Sequence, residues 1–209
     1  MKNLTWQNPE QLFVAQELIN KVKSKCCGIK GKEEFPQLFG ELFQPVNKLR
    51  ELIEKNLEML PKGYVSITYR FQQLLGDFKE DGYRVIIDKN EKETLIDNCL
   101  SVLDKLFEKY QKRILVTSDS SIFLKKASEK NFVYTIPGQI RHMDFTDGVK
   151  ADILIDMKSY VDFYMLANAD CIYRCVSSPL YGTSFPETAS YVYNKKLVTL
   201  SGDFSQIII

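Results

Sequence analysis

Apolar residues recur at two different periods along this chain, and the change of period divides it. After Asn8-Pro9-Glu10-Gln11, the residues Leu12, Ala15, Ile19 and Val22 fall at helical spacing. Asn8 is placed as an N-cap, Pro9 at the first helical position and Gln11 where a capping-box partner belongs, so a helix is predicted to begin there. The Cys26–Lys32 stretch, with Gly28 and Gly31, is expected to end it. A second stripe, Leu49, Leu52, Ile53, Asn56, Leu57 and Leu60, predicts a helix that Pro61-Lys62-Gly63 terminates. Residues 1–62 therefore read as a helical N-terminal segment.

From Tyr64 onward, short β-prone runs alternate with helical ones, the pattern of a parallel α/β sheet. Tyr64–Phe71 is the first strand. Asn90, with Glu93 at the capping-box position, is expected to open a helix whose buried face is Leu95, Ile96, Cys99, Val102, Leu103, Leu106 and Tyr110. Strands follow at Arg113–Thr117, Phe132–Ile136, Cys171–Val176 and Leu197–Leu200, with helices at Ser121–Lys130, Asp156–Asn168 and Pro186–Tyr193. Residues 63–209 thus read as a Rossmann-like α/β domain, a parallel sheet of about five strands with flanking helices joined by right-handed crossovers.

Composition narrows the class. With 209 residues, 44% of them hydrophobic, the chain is long enough for a core without disulfide or metal staples. Lys and Arg number 28 against 27 Asp and Glu, and residues 1–62 hold 10 basic and 8 acidic side chains, so charge gives no argument for nucleic acid. No apolar run approaches the roughly 18 residues of a membrane span, and Met1-Lys2-Asn3-Leu4-Thr5-Trp6-Gln7 lacks a signal core. Five cysteines, an odd number, fit reduced thiols in a cytoplasmic protein. Adjacent Cys26-Cys27 make a poor disulfide, and Cys171 and Cys175 on an apolar run are expected to be packed thiols.

Ligands of open parallel sheets bind beyond the carboxyl ends of the strands, so polar residues just after each strand are the candidates. Arg70 follows the first strand; its planar fork suits a diphosphate, or else it pairs with Asp77 or Glu80 to pin the loop. Ser118-Asp119-Ser120-Ser121 follows the second, where Ser118 or Asp119 either caps the next helix or holds a nucleotide's ribose or base. Ser184-Phe185-Pro186-Glu187 reads as a capping box whose helix N-terminus, at the ligand edge, either is an ordinary cap or receives an anion. His142, the single histidine, is either a catalytic base or a loop residue with one structural hydrogen bond. Asp162 interrupts an apolar helix and either faces solvent or reaches the site. The sequence holds no Gly-x-Gly-x-x-Gly, P-loop, Asp-x-Asp pair or Gly-x-Ser-x-Gly elbow, which argues against a dinucleotide enzyme, an NTPase, metal-clamped diphosphate chemistry and a serine hydrolase.

Taken in order, Arg70-Phe71 with Leu75-Gly76-Asp77-Phe78, Val116-Thr117-Ser118-Asp119-Ser120, Ile136-Pro137-Gly138 with His142, Asp162-Phe163-Tyr164-Met165-Leu166, and Ser184-Phe185 with Ala189-Ser190 resemble a known family. They are similar to the nucleotide-sugar half of GT-B glycosyltransferases related to the α-1,2/α-1,6-fucosyltransferases and nodulation fucosyltransferases, over about residues 60–200. The resemblance implies one half of a GT-B fold and metal-independent, inverting transfer from a nucleotide sugar, GDP-fucose, to a glycan acceptor. It implies that Arg70 binds the donor diphosphate and assists catalysis, that Asp119, Ser120 and His142 line the nucleotide site, that Asp162 lies near the guanine, and that Ser184 and Phe185 start the helix that receives phosphate. Thr68-Tyr69-Arg70 stands where the family usually has His-x-Arg. No resident cofactor is expected. Two other readings follow from the same residues: a noncatalytic or truncated nucleotide-sugar module completed by a partner chain or a second copy, and an α/β interaction domain without a small ligand.

Overall fold

A computed structural model describes residues 29–77, 82–140 and 153–209. The helix expected from Asn8, the Cys26-Cys27 pair, Glu80 and His142 lie outside the described residues. In chain order the elements are helices α1 (Ile29–Leu42) and α2 (Asn47–Leu57), strand β1 (Val65–Tyr69), α3 (Lys89–Tyr110), β2 (Ile114–Ser118), α4 (Ser121–Ala127), β3 (Val133–Tyr134), α5 (Ile153–Asn168), β4 (Cys171–Cys175), α6 (Phe185–Val192) and β5 (Lys196–Leu200). A short 3-10 turn at Phe204–Gln206 follows.

All strand pairings are parallel, and the five strands lie in the order β3-β2-β1-β4-β5. The Rossmann-like α/β class expected from the alternation of periods is what the chain adopts. β1 is central and buried at every position, its polar Ser66 and Thr68 included, as a strand covered on both faces must be. Successive strands run outward from β1 to β3, and then α5 carries the chain back to the other side of β1. The direction of winding therefore reverses between β1 and β4, and the carboxyl ends of those two strands flank the switch point.

Each face of the sheet has its own core. On one, Ile67, Tyr69, Tyr173 and Cys175 pack with Cys99, Val102, Leu103 and Leu106 of α3 and Phe123 of α4. On the other, Leu115 and Ile172 pack with Val161, Met165 and Leu166 of α5 and Ala189 and Val192 of α6. Phe35 and Phe39 of α1 and Leu49 and Ile53 of α2 join this second core. Tyr134 Oη donates to Asn56 Oδ1 at 2.6 Å and Tyr164 Oη donates to the Phe43 carbonyl at 2.7 Å, tying these helices down. The apolar faces before residue 62 thus pack on the helices that cover the sheet.

Several local expectations are corrected. Gly31 lies inside α1, whose stacked, buried Phe35 and Phe39 are 5.8 Å apart, while the expected end of the helix from Asn8 lies outside the described residues. The N-cap of α3 is Asp88, whose carboxylate accepts from the Glu91 N–H, so Asn90 is already helical. The N-cap of α4 is Ser120, not Ser118 or Asp119. Ser184 makes no side-chain cap bond, because Glu187 turns instead to Tyr191 and Arg174 and the Phe185 N–H donates to Thr183 Oγ1. Cys99, Cys171 and Cys175 are free and buried, as packed thiols should be.

Candidate site at the carboxyl edge of the sheet

The strand β1 ends at Tyr69, whose hydroxyl donates to the Cys99 carbonyl at 3.0 Å and fixes the strand end against α3. Arg70 therefore emerges from a rigid base. Its guanidinium lies 3.3 Å from the Asp119 carboxylate and donates to Gln72 Oε1 at 3.1 Å, leaving its side chain 27% exposed. The alternative of Arg70 pinned by Asp77 does not occur: the partner comes from the neighbouring strand, 49 residues away in sequence, so local spacing carried no sign of it.

Asp119 does more than pair with Arg70. One carboxylate oxygen accepts the Phe71 N–H and the other the Gln72 N–H, each at 2.8 Å. Gln72 has φ of 54°, a left-handed conformation that costs a non-glycine residue energy and needs such anchoring. Burial pushes the Asp119 carboxyl above its ordinary value, an effect opposed by the Arg70 guanidinium and the two N–H groups. Asp119 is thus an internal ligand of the loop after β1.

Asp77, at the far end of that loop, reaches in the opposite direction. Its carboxylate accepts from Ser120 Oγ at 2.6 Å, Ser121 Oγ at 2.5 Å and the Ile122 N–H at 2.9 Å. Ser120 Oγ in turn accepts the Phe123 N–H, so this serine is a buried helix cap. Beside it opens a cleft of about 390 Å³ whose walls include Asp77, Asp119, Ser121, Pro137, Gly138 and Gln139. Arg70, Asp162, Ser184 and Phe185 are not among its lining residues.

Asp162 neither faces solvent nor stands free. It is buried on α5, where Lys158 Nζ donates to its Oδ2 at 2.7 Å while Oδ1 is buried without a partner. Burial raises its carboxyl and the lysine opposes that rise. Gly138 folds directly over this pair: a Cβ there would sit 3.3 Å from Lys158 Cδ. Ser184 is exposed at the start of α6, and Phe185 packs edge-on against Phe163 at 5.6 Å. The loop leading to Ser184 is tied to the Arg70 position, since the Tyr181 N–H donates to the Arg70 carbonyl at 2.9 Å.

The structure therefore pairs Arg70 with Asp119, sets Ser120 beside them in the grip of Asp77, places Ser184 and Phe185 at the start of α6, and holds Asp162 in a separate buried pair. Gln72, Lys158 and Arg174 were not singled out by sequence, and Asp77, offered there as a partner for Arg70, instead holds Ser120, Ser121 and the Ile122 N–H. A signal existed for Arg174, the lone charge within the strand Cys171–Cys175. None of the described residues form a group of three or more His, Cys, Asp or Glu placed to hold a metal ion. No helix among them is long and apolar enough to cross a membrane.

No family model matches the sequence, and no curated protein matches it. Among solved structures, NodZ α-1,6-fucosyltransferase co-crystallized with GDP aligns over 78% of this chain and 47% of its own, at 14% identity and a TM-score of 0.47. The same enzyme soaked with GDP-fucose aligns over 82% and 49%, at 15% identity and a TM-score of 0.47. A mutant of Arabidopsis thaliana FUT1 in complex with GDP aligns over 79% and 35%, at 15% identity and a TM-score of 0.44. This chain spans half or less of the length of each. Likeness of this degree carries no argument about ligand or activity.

Proposed function

We propose that this chain is a cytoplasmic glycosyltransferase-like protein that binds a nucleoside diphosphate sugar, GDP-fucose, at the carboxyl edge of its sheet for metal-independent, inverting transfer to a glycan. The observation that carries the reading is Arg70: a part-exposed guanidinium just past the end of the central strand, beside the switch point, held in place by Asp119 and Gln72. Motif order supports it, because Arg70, Asp119, Ser120, Ser184 and Phe185 all fall in the turns that follow β1, β2 and β4. Free, buried thiols at Cys99, Cys171 and Cys175 suit a reducing compartment.

In this reading the acceptor hydroxyl attacks the anomeric carbon from the side opposite the diphosphate, and the bond between that carbon and the diphosphate oxygen breaks. Negative charge then builds on the departing GDP. A guanidinium already fixed by neighbouring acceptors meets that charge without reorganising, which is how such a group lowers a barrier. Asp119 has its oxygens occupied by the loop and by Arg70, so its part is to aim Arg70 rather than to hold the ribose.

Calorimetric titration with GDP and GDP-fucose tests donor binding. Saturable binding of both, weakened by on the order of 1.5–3 kcal/mol in Arg70→Ala, is expected for a charge-assisted diphosphate contact. Absence of binding at millimolar concentration contradicts the reading. Incubation with donor and glycan acceptors, followed by mass spectrometry, separates a transferase from a module that binds donor and forms no product.

A further inference from the structure

Arg174 is the one charged residue in β4, and its surroundings do not use it fully. Nη1 donates to the Thr183 carbonyl at 3.0 Å and Nη2 to Thr199 Oγ1 at 3.1 Å, while Glu187 Oε2 stands at 3.4 Å. Nε is buried without a partner. A guanidinium kept only to brace the loop would be replaced at little cost by an apolar side chain, since a strand interior gains nothing from an unpaired N–H. The ion pair to Glu187 does not account for it either, as the two side chains are 22% and 38% exposed and such pairs contribute little.

Register pairs Arg174 with Thr68 of β1, two residues before Arg70 and across the switch point. Val65, Ile67 and Tyr69 of β1 and Cys171, Tyr173 and Cys175 of β4 belong to one core, whereas Ile172 belongs to the other. Alternation of side chains therefore sets Arg174 on the same face as Thr68, its register partner, and Arg70 lies two residues beyond Thr68 on that face. Two residues along and one strand across put the two Cα atoms about 8 Å apart. Each guanidinium is offset by a single carboxylate at more than 3 Å, Asp119 for Arg70 and Glu187 for Arg174, and each is part-exposed. Arg70, just past the end of β1, and Arg174, one residue before the end of β4, thus stand near the edge where a ligand of an open parallel sheet sits.

We propose that Arg174 is a second diphosphate-binding arginine, clamping the donor from β4 while Arg70 holds it from β1. The inference rests on the nucleotide-sugar reading above and adds to it a residue on the opposite side of the crevice. Its two bonds to Thr183 and Thr199 set the side chain, and the exposed Nη side of its fork serves the anion.

The test titrates GDP and guanosine into the full chain carrying Arg174→Gln or Arg174→Lys, beside wild type and Arg70→Ala. Glutamine removes the charge while keeping a polar side chain of similar bulk near the strand, and a thermal melt verifies that each variant keeps the fold. Arg174→Gln is expected to weaken GDP at least tenfold and leave guanosine unchanged, with part of the GDP affinity restored in Arg174→Lys. Unchanged GDP affinity in Arg174→Gln, where Arg70→Ala weakens it, overturns the role of Arg174 and leaves the nucleotide-sugar reading standing. Equal losses for GDP and guanosine also overturn it, as they mark a packing defect. Failure of wild type to bind GDP overturns the reading itself.

Discussion

Asp77 and Asp119 cross in opposite directions over the same gap: Asp119, leaving β2, accepts the N–H groups of Phe71 and Gln72 in the loop after β1, and Asp77, in that loop, accepts Ser120, Ser121 and Ile122 at the start of α4. The two carboxylates form a reciprocal clasp between adjacent strand ends. It holds the backbone on which Arg70 is mounted.

Breaking either half should therefore loosen the same loop. Asp119→Ala strands two N–H groups and the Arg70 charge and is expected to cost about 3 kcal/mol of unfolding free energy. Asp77→Ala removes an added helix cap and should cost about 1–2 kcal/mol. Because both act on one segment, the double variant is expected to lose less than the two singles together by more than about 0.5 kcal/mol in urea denaturation. Additive losses would show that the two sides hold independently.

The buried pair Lys158 and Asp162 gives a second expectation. Asp162→Leu alone leaves a lysine charge without its partner and should destabilise by about 3–5 kcal/mol, whereas Lys158→Met with Asp162→Leu should come close to wild type. The pair also leaves a pH signature. Burial raises the native Asp162 carboxyl above its ordinary 3.8, so the native state holds the proton more tightly than the unfolded chain. Its contribution to stability is fully present below 3.8 and is lost as pH rises through the raised value. Unfolding free energy across that window should fall with pH in wild type and fall less steeply in the double variant; identical slopes would exclude Asp162 as the titrating group.

Gly138→Ala should destabilise by about 1–3 kcal/mol, because φ of 131° is strained for any side chain and the added methyl presses on Lys158. Thermal unfolding checks this, and a neutral effect would mean that the turn can move away from α5.

The alternation of helical and β-prone runs made the fold legible, because short runs of β-branched and aromatic residues such as Val65–Tyr69 stand between helical stripes such as Leu95–Leu106. The site was legible only at the level of strand ends. Arg70, Asp119 and Ser120 share one corner, but which atoms meet depends on β1 lying beside β2, and spacing along the chain offered Asp77 or a residue of the same loop as Arg70's partner instead. Capping signals misled for a related reason. Ser184 and Glu187 have the right spacing for a reciprocal box, yet Tyr191, one turn along the same helix, and Arg174, brought in by the tertiary fold, compete for the glutamate.

The central claim is that Arg70 receives a nucleoside diphosphate at the carboxyl end of β1. A crystal structure of the chain grown with GDP tests it most directly: the account predicts the diphosphate over the ends of β1 and β4 with guanidinium nitrogens of Arg70 within about 3 Å of its oxygens. GDP bound away from those strand ends, with Arg70 contacting only Asp119 and Gln72, would contradict it.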